Sequence, residues 1–397
     1  MSIMETEVKT KSTPLVWSVI MLHMLNHVIS GAMPILYPDI MNEFSLSYSQ
    51  LGLIRSAATF SAGFPQMFIG FLRRWLSGRI LIGLGNIVNS LMNMAIAVSR
   101  GFLQFVGFTV LGGIGSSAQH PVGASIISAA SEDSKRGRML GLNQAAPSLA
   151  FSLTPIIAAY LLTKIGWRSI LGILSIPALL LSLILIFIIK GVGSVEMKSR
   201  DVLNWDKLRG SFKNRNVLSI SLLRSVMAFR MGVRTFLPLY FIDILGFTSE
   251  TSSILYSIML FGGVLGPFFW GSMADRMNRK PLIIGIMVVS SLGYFLLNFI
   301  TEYWSLAMLL FIIGFMVQTV IVQSVLSDSV ERSQLDQIFG LYFTIGFTLA
   351  SFSSIIFGYV IEFYGFNWGF TYIATIAGIS LLPALFIQEP KQLKYHS

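Results

Sequence analysis

Runs of about twenty apolar residues recur along the whole of this chain, and each is long enough to cross the hydrocarbon core of a bilayer as a helix. The runs are continuous rather than alternating, which favours helices over barrel strands. Twelve spanning helices are therefore expected. We label them α1–α12, at 15–37, 48–72, 79–99, 102–130, 139–163, 168–190, 216–242, 250–273, 281–300, 304–327, 337–361 and 367–388. The composition agrees: of 397 residues, 54% are hydrophobic and 12% charged, against about 25% charged in a soluble domain. Soluble enzymes, disordered chains and secreted disulfide scaffolds are excluded. The absence of cysteine removes disulfides, thiolate metal sites and cysteine nucleophiles. No G-x-x-x-x-G-K-[ST] loop occurs, so direct ATP hydrolysis is not indicated. Neither enzymatic activity nor a cofactor is expected.

The one long polar interruption is 191–215, read as a linker between a first six-helix bundle, 1–190, and a second, 216–397. Lys and Arg in the connections number 21 on the side that holds both termini. Only Arg100, Lys164 and Arg168 fall on the other side. Positive charge marks the cytoplasmic face, so both ends are expected there, in a plasma membrane. The net charge of +10 thus reports orientation, not nucleic-acid binding. With an offset of 199, Ser125 falls on Ser324, Glu132 on Glu331, Gly141-Leu142 on Gly340-Leu341, Tyr160 on Tyr359 and Gly166 on Gly365. Helices α4–α5 and α10–α11 then read as copies of one unit. Parallel six-helix repeats are the pattern of a rocker-type transporter.

The α8–α9 connection reads Gly271-Ser-Met-Ala-Asp275-Arg276-Met-Asn-Arg279-Lys280. It resembles the G-x-x-x-D-R-x-G-R-R signature of the major facilitator superfamily and is expected to form a cytoplasmic latch. Gly271 would allow close helix approach, Asp275 would cap or pair with a facing helix end, and Arg276, Arg279 and Lys280 would hold the loop at the anionic leaflet. In the equivalent α2–α3 connection Arg74 stands where the signature has its acid. Helix α1 carries His23-Met-Leu-Asn26-His27, and α4 carries Gly113-Ile-Gly115-Ser116-Ser117-Ala-Gln119-His120-Pro121. These resemble the fosmidomycin-resistance branch of the superfamily, with H-x-L-N-D in helix 1 and G-x-G-S-S-x-x-H-P in helix 4. The resemblance implies the twelve-helix major facilitator fold and a proton-linked exporter of small organic compounds, the namesake being a phosphonate antibiotic. Two departures stand out: His27 replaces the branch's acid, and α5 reads Asn143-Gln144-Ala-Ala-Pro147 where exporters show a glycine-rich element.

None of the 18 Asp and Glu residues falls mid-span, whereas His23, His27, His120, Arg55, Arg224, Arg230 and Arg234 do. Ionisable groups at such depth mark cavities or pathways. His23 and His27, one turn apart, share a face with Asn26. With His120 they are candidates for carrying protons, the alternative being neutral rings bonded to neighbouring helices. At about 100° per residue, Arg224, Arg230 and Arg234 would project from α7 within an arc of roughly 120°. Guanidinium suits bidentate recognition of carboxylate or phosphonate, so this face is expected to bind an anion, chiefly through Arg230 and Arg234. Asn26, Arg55, Gln119, Asn143 and Gln144 complete the candidate solute-binding set. The function expected is secondary transport of a small organic solute, an anion by preference, by alternating access, with proton-coupled efflux as an option. An exporter of lipophilic or neutral drugs and a non-transporting sensor on the same fold stay open as alternatives. Expected partners are that solute, the lipid bilayer and protons, with the chain working as a monomer.

Overall fold

A computed structural model describes residues 3–73, 75–131, 133–189, 210, 212–330 and 335–389. Most of the 191–215 linker, Arg74, Glu132 and Glu331 lie outside the described residues. Every regular element among the described residues is helical, and twelve helical spans follow one another in the expected order. By packing, the chain forms two compact units, 1–200 with 234–257 and 201–233 with 258–397. Sequence order assigns the whole of α7 and α8 to the second bundle, whereas packing gives the stretch from Arg234 to Ser257 to the first unit.

Five expected helices are broken. Helix α2 is Tyr48–Gly63 followed by Gln66–Leu72, with Pro65 at the joint, where its ring and missing N–H interrupt the ladder. Helix α4 is Phe102–Ser116 and Gln119–Ala130; Pro121 lies four residues after Ser117 and removes the bond that would bridge the gap. Helix α10, with no proline, is Tyr303–Phe315 and Thr319–Asp328. Its freed carbonyls are taken by side chains: Trp270 Nε1 donates to Phe315 O at 2.8 Å and Ser290 Oγ to Met316 O at 3.2 Å. The α4 break begins at Ser117 and the α10 break at Met316, which is the offset of 199 again. The repeat is thus visible in the backbone as well as in the residues.

Helix α7 is Arg215–Ala228, then Val233–Leu239, running into a π-helical turn at Tyr240–Ile244. The gap is closed by one hydroxyl: Ser353 Oγ of α11 accepts from Gly232 N at 2.6 Å and donates to Phe229 O at 2.5 Å. Helix α12 is Phe366–Ile379 and Leu381–Leu385. The others are single helices: α1 Ile3–Phe44, α3 Gly78–Ala97, α5 Asp133–Leu162, α6 Trp167–Phe187, α8 Ser249–Ala274, α9 Arg279–Leu296 and α11 Leu335–Tyr364. Helix α1 runs beyond its expected end at 37, through Pro34 and Pro38, because neighbouring helices can tolerate prolines that a solvated helix cannot. It stops at Ser45, whose φ of 50° leaves the helical region. Ser47 then starts α2 with a reciprocal capping box to Gln50.

Each unit has its own apolar core. In the first, Val19, Ile20, Leu22, Ile82, Ile127 and Leu185 are fully or almost fully buried. In the second, Ile220, Ile283, Met287, Ile321, Val325 and Ala384 are. Helices in lipid associate by close packing and not by burial alone, so small residues set the approach. Gly262 and Gly266 of α8 face α10 so closely that a Cβ on Gly262 would lie 2.5 Å from Phe311 O. Asp and Glu anchor the span ends: Glu43 pairs with Arg168 at 2.6 Å and accepts from Trp167 Nε1 at 2.7 Å, while Arg168 Nη1 donates to Ala97 O at 2.8 Å. This ties together the ends of α1, α3 and α6.

Candidate functional site

In the first unit α1 and α4 bring three histidines together. The rings of His23 and His27 are 5.1 Å apart, those of His23 and His120 4.8 Å, and those of His27 and His120 6.4 Å. One nitrogen from each ring lies within 4.8 Å of the others. Helical spacing places His23 and His27 on one face; the α4 break sets His120 in the first turn of the segment beginning at Gln119. Asn143 of α5 accepts a hydrogen bond from His23 Nδ1 at 3.1 Å. His23 is buried, His27 half-buried and His120 exposed. Asn26, on the same face of α1, has both amide atoms buried without a hydrogen-bond partner among the described residues.

The neighbouring amides are engaged structurally. Gln119 donates to Val19 O at 3.0 Å and accepts from Asn86 Nδ2 at 3.0 Å, so it binds α1 and α3 to α4. Gln144 is exposed.

The break in α7 removes the basis of the expected arginine arc, because an even 100° step requires an unbroken helix. Arg224 and Arg230 belong to the second unit and Arg234 to the first. The Arg224 guanidinium sits 5.1 Å from the centre of the Tyr342 ring, and its Nε is buried without a hydrogen-bond partner among the described residues. Such a cation–π contact offsets part of the cost of burying the charge. Arg230 Nη2 donates to Gln318 Oε1 at 3.4 Å. Arg234 instead shares an electrostatic partner, Tyr256, with Arg55. The Arg55 guanidinium acts electrostatically on the hydroxyl of Tyr37, and both Arg55 and Arg234 act on the hydroxyl of Tyr256. Tyr37 and Tyr256 are each 1% exposed. Sequence reasoning missed both tyrosines. Their only signal was a phenol within an apolar span, which core packing also explains.

At the α8–α9 connection Arg279 pairs with Asp328 at 2.5 Å, Lys280 N donates to Glu389 at 2.6 Å, and Lys280 Nζ donates to Leu385 O at 2.6 Å. The basic residues thus tie the loop to the ends of α10 and α12. Asp275 and Arg276 are exposed. Gly271 does not bring helices together as expected: a Cβ there would meet Val320 Cγ1 at 3.5 Å, an ordinary contact, so alanine would fit.

The sequence profile of the Major Facilitator Superfamily matches residues 16–259 and again 218–397, so it covers both repeats. The chain belongs to the major facilitator superfamily. The fosmidomycin resistance protein of Escherichia coli (strain K12) is 21% identical over 350 residues, covering 86% of this chain and 84% of that protein. The uncharacterized MFS-type transporter YfnC of Bacillus subtilis (strain 168) is 20% identical over 383 residues, covering 94% and 93%. The crystal structure of the D-xylose–proton symporter matches the fold with a TM-score of 0.76 at 16% identity, covering 95% of this chain and 99% of that one. This major facilitator protein is a multi-pass membrane protein and a secondary transporter, not an enzyme.

Proposed function

We propose that this major facilitator protein exports a small organic anion, a carboxylate or phosphonate, by alternating access. The observation that supports this most is that Arg55 acts on the buried hydroxyls of Tyr37 and Tyr256 and Arg234 on that of Tyr256, with no carboxylate of the described residues among the groups acting on them. A guanidinium at such depth is costly, and an anion offsets that cost while phenols donate to its remaining oxygens. Arg224 and Arg230 of the second unit are proposed as further anion-binding groups. Asn26, whose amide has no hydrogen-bond partner among the described residues, is proposed as a solute contact. A relative named for fosmidomycin resistance makes that phosphonate an apt first probe.

The proton is the proposed coupling ion, tested by whether an imposed pH gradient alone drives uphill transport in proteoliposomes. Both termini are proposed to lie in the cytoplasm, a reading supported by the 21-to-3 asymmetry of basic residues. Because the chain has no cysteine, a single cysteine added at either end can be tested with an impermeant maleimide. Solute class is tested by a thermal-shift screen of the purified protein, since a ligand that binds the folded state raises its apparent stability. Phosphonates and organic carboxylates should raise the transition temperature. Shifts from cationic or neutral drugs alone would contradict the reading.

A further inference from the structure

The histidine cluster in the first unit has chemistry beyond solute or proton transport. We propose that His23, His27 and His120 bind one divalent transition-metal ion of the zinc type, bridging α1 and α4. Three imidazoles with no thiolate or carboxylate form a nitrogen donor set suited to Zn²⁺, Co²⁺ or Ni²⁺ rather than to Ca²⁺ or Mg²⁺. A tetrahedral ion with Zn–N bonds of about 2.0–2.1 Å needs nitrogens about 3.4 Å apart. One nitrogen of each ring already lies within 4.8 Å of the others, so small ring rotations complete the site.

The polar groups around the cluster are arranged as ligation requires. Asn143 Oδ1 can only accept, so the His23 hydrogen is on Nδ1, at 3.1 Å. That fixes the tautomer and leaves Nε2 with a free lone pair. His23 is 2% exposed, and its Nε2 is buried with no hydrogen-bond partner among the described residues. An orphaned acceptor in an apolar bundle costs free energy that a metal ion would recover. Metal-bound histidines characteristically donate their other N–H to an oxygen, which is the part Asn143 plays as a positioning residue. Three protein ligands leave a coordination position for water, with His120 exposed at the cluster.

The test uses the full-length protein, free of any affinity tag, in detergent. Co²⁺ is titrated and followed by its ligand-field absorption, then displaced with Zn²⁺. One equivalent should bind with the intense visible bands of a tetrahedral nitrogen and oxygen site. His27→Gln and His120→Gln should each weaken Co²⁺ at least tenfold, and Asn143→Leu by 10- to 100-fold with all three imidazoles still present. His396→Gln, which removes the remaining histidine, should change nothing. Should the variants misfold, X-ray absorption of Zn²⁺-loaded wild-type protein decides: three imidazole nitrogens at about 2.0 Å support the site. Fewer than three, or Co²⁺ binding that is non-saturable or unchanged in the His27→Gln/His120→Gln double variant, overturns it.

Discussion

Removing the Ser353 hydroxyl should unlock α7. That one oxygen accepts from Gly232 N at 2.6 Å and donates to Phe229 O at 2.5 Å, serving both sides of the break. Ser353 is fully buried and Gly232 is buried, so Ser353→Ala leaves two backbone groups in an apolar bundle with no water to replace the bond. Each buried group left unsatisfied costs about 1–3 kcal/mol, and partial relaxation puts the sum at about 2–4 kcal/mol. Ser351→Ala is the matched control, because Ser351 Oγ only back-bonds to Thr348 O within α11, at 2.6 Å. That carbonyl also belongs to the helix ladder, so the loss should stay below about 1 kcal/mol. Reversible unfolding in mixed micelles titrated with sodium dodecyl sulfate measures both. A Ser353→Ala variant within about 0.5 kcal/mol of wild type would refute the idea that this hydroxyl holds the break.

Replacing Arg55 or Arg234 with Gln should weaken binding of an anionic solute by about 1.5–3 kcal/mol, the scale of a charged hydrogen bond, or roughly 10- to 150-fold in Kd. Unchanged affinity in a folded double variant would remove the anion site. Asp275→Asn should slow transport and leave solute affinity within a few-fold, because Asp275 is exposed in the α8–α9 loop; a large affinity loss with normal turnover would contradict the latch. Glu302 caps α10 by accepting from Ser305 N and Trp304 N, at 2.8 and 3.1 Å, and these bonds hold its carboxyl below the usual glutamate range. A depressed carboxylate stabilises the fold above its unfolded value, about 4.3, and loses that contribution as pH falls through the folded value. Glu302→Gln should therefore lower the transition temperature at neutral pH, and the gap to wild type should close on acidification. A gap that persists would mean the cap acts without its charge.

The order of the twelve spans was legible because each apolar run is bounded by charge or glycine. Their interruptions were not. Pro65 and Pro121 announce the α2 and α4 breaks, yet Pro34 and Pro38 sit inside an unbroken α1, so proline alone does not decide. The α10 break has no proline and exists because Trp270 and Ser290, distant in sequence, satisfy its carbonyls. The same kind of long-range bond, from Ser353, breaks α7 and undoes the arc drawn through Arg224, Arg230 and Arg234. Helical spacing put His23 beside His27, whereas their meeting with His120 depends on how α1 packs on α4, which no spacing encodes. Gly271 was misread because the motif suggested close approach, while the glycines that do press helices together, Gly262 and Gly266, lie one to three turns earlier in α8.

Counterflow in proteoliposomes tests the central proposal most directly. Vesicles loaded with unlabelled fosmidomycin are diluted into a trace of the labelled compound, with no pH gradient or membrane potential imposed. An alternating-access carrier of organic anions should accumulate label transiently above equilibrium, organic carboxylates or phosphonates should compete, and Arg234→Gln should abolish the overshoot. Counterflow of neutral or cationic drugs with none for anions would contradict it, as would no counterflow for any solute from protein shown to be folded.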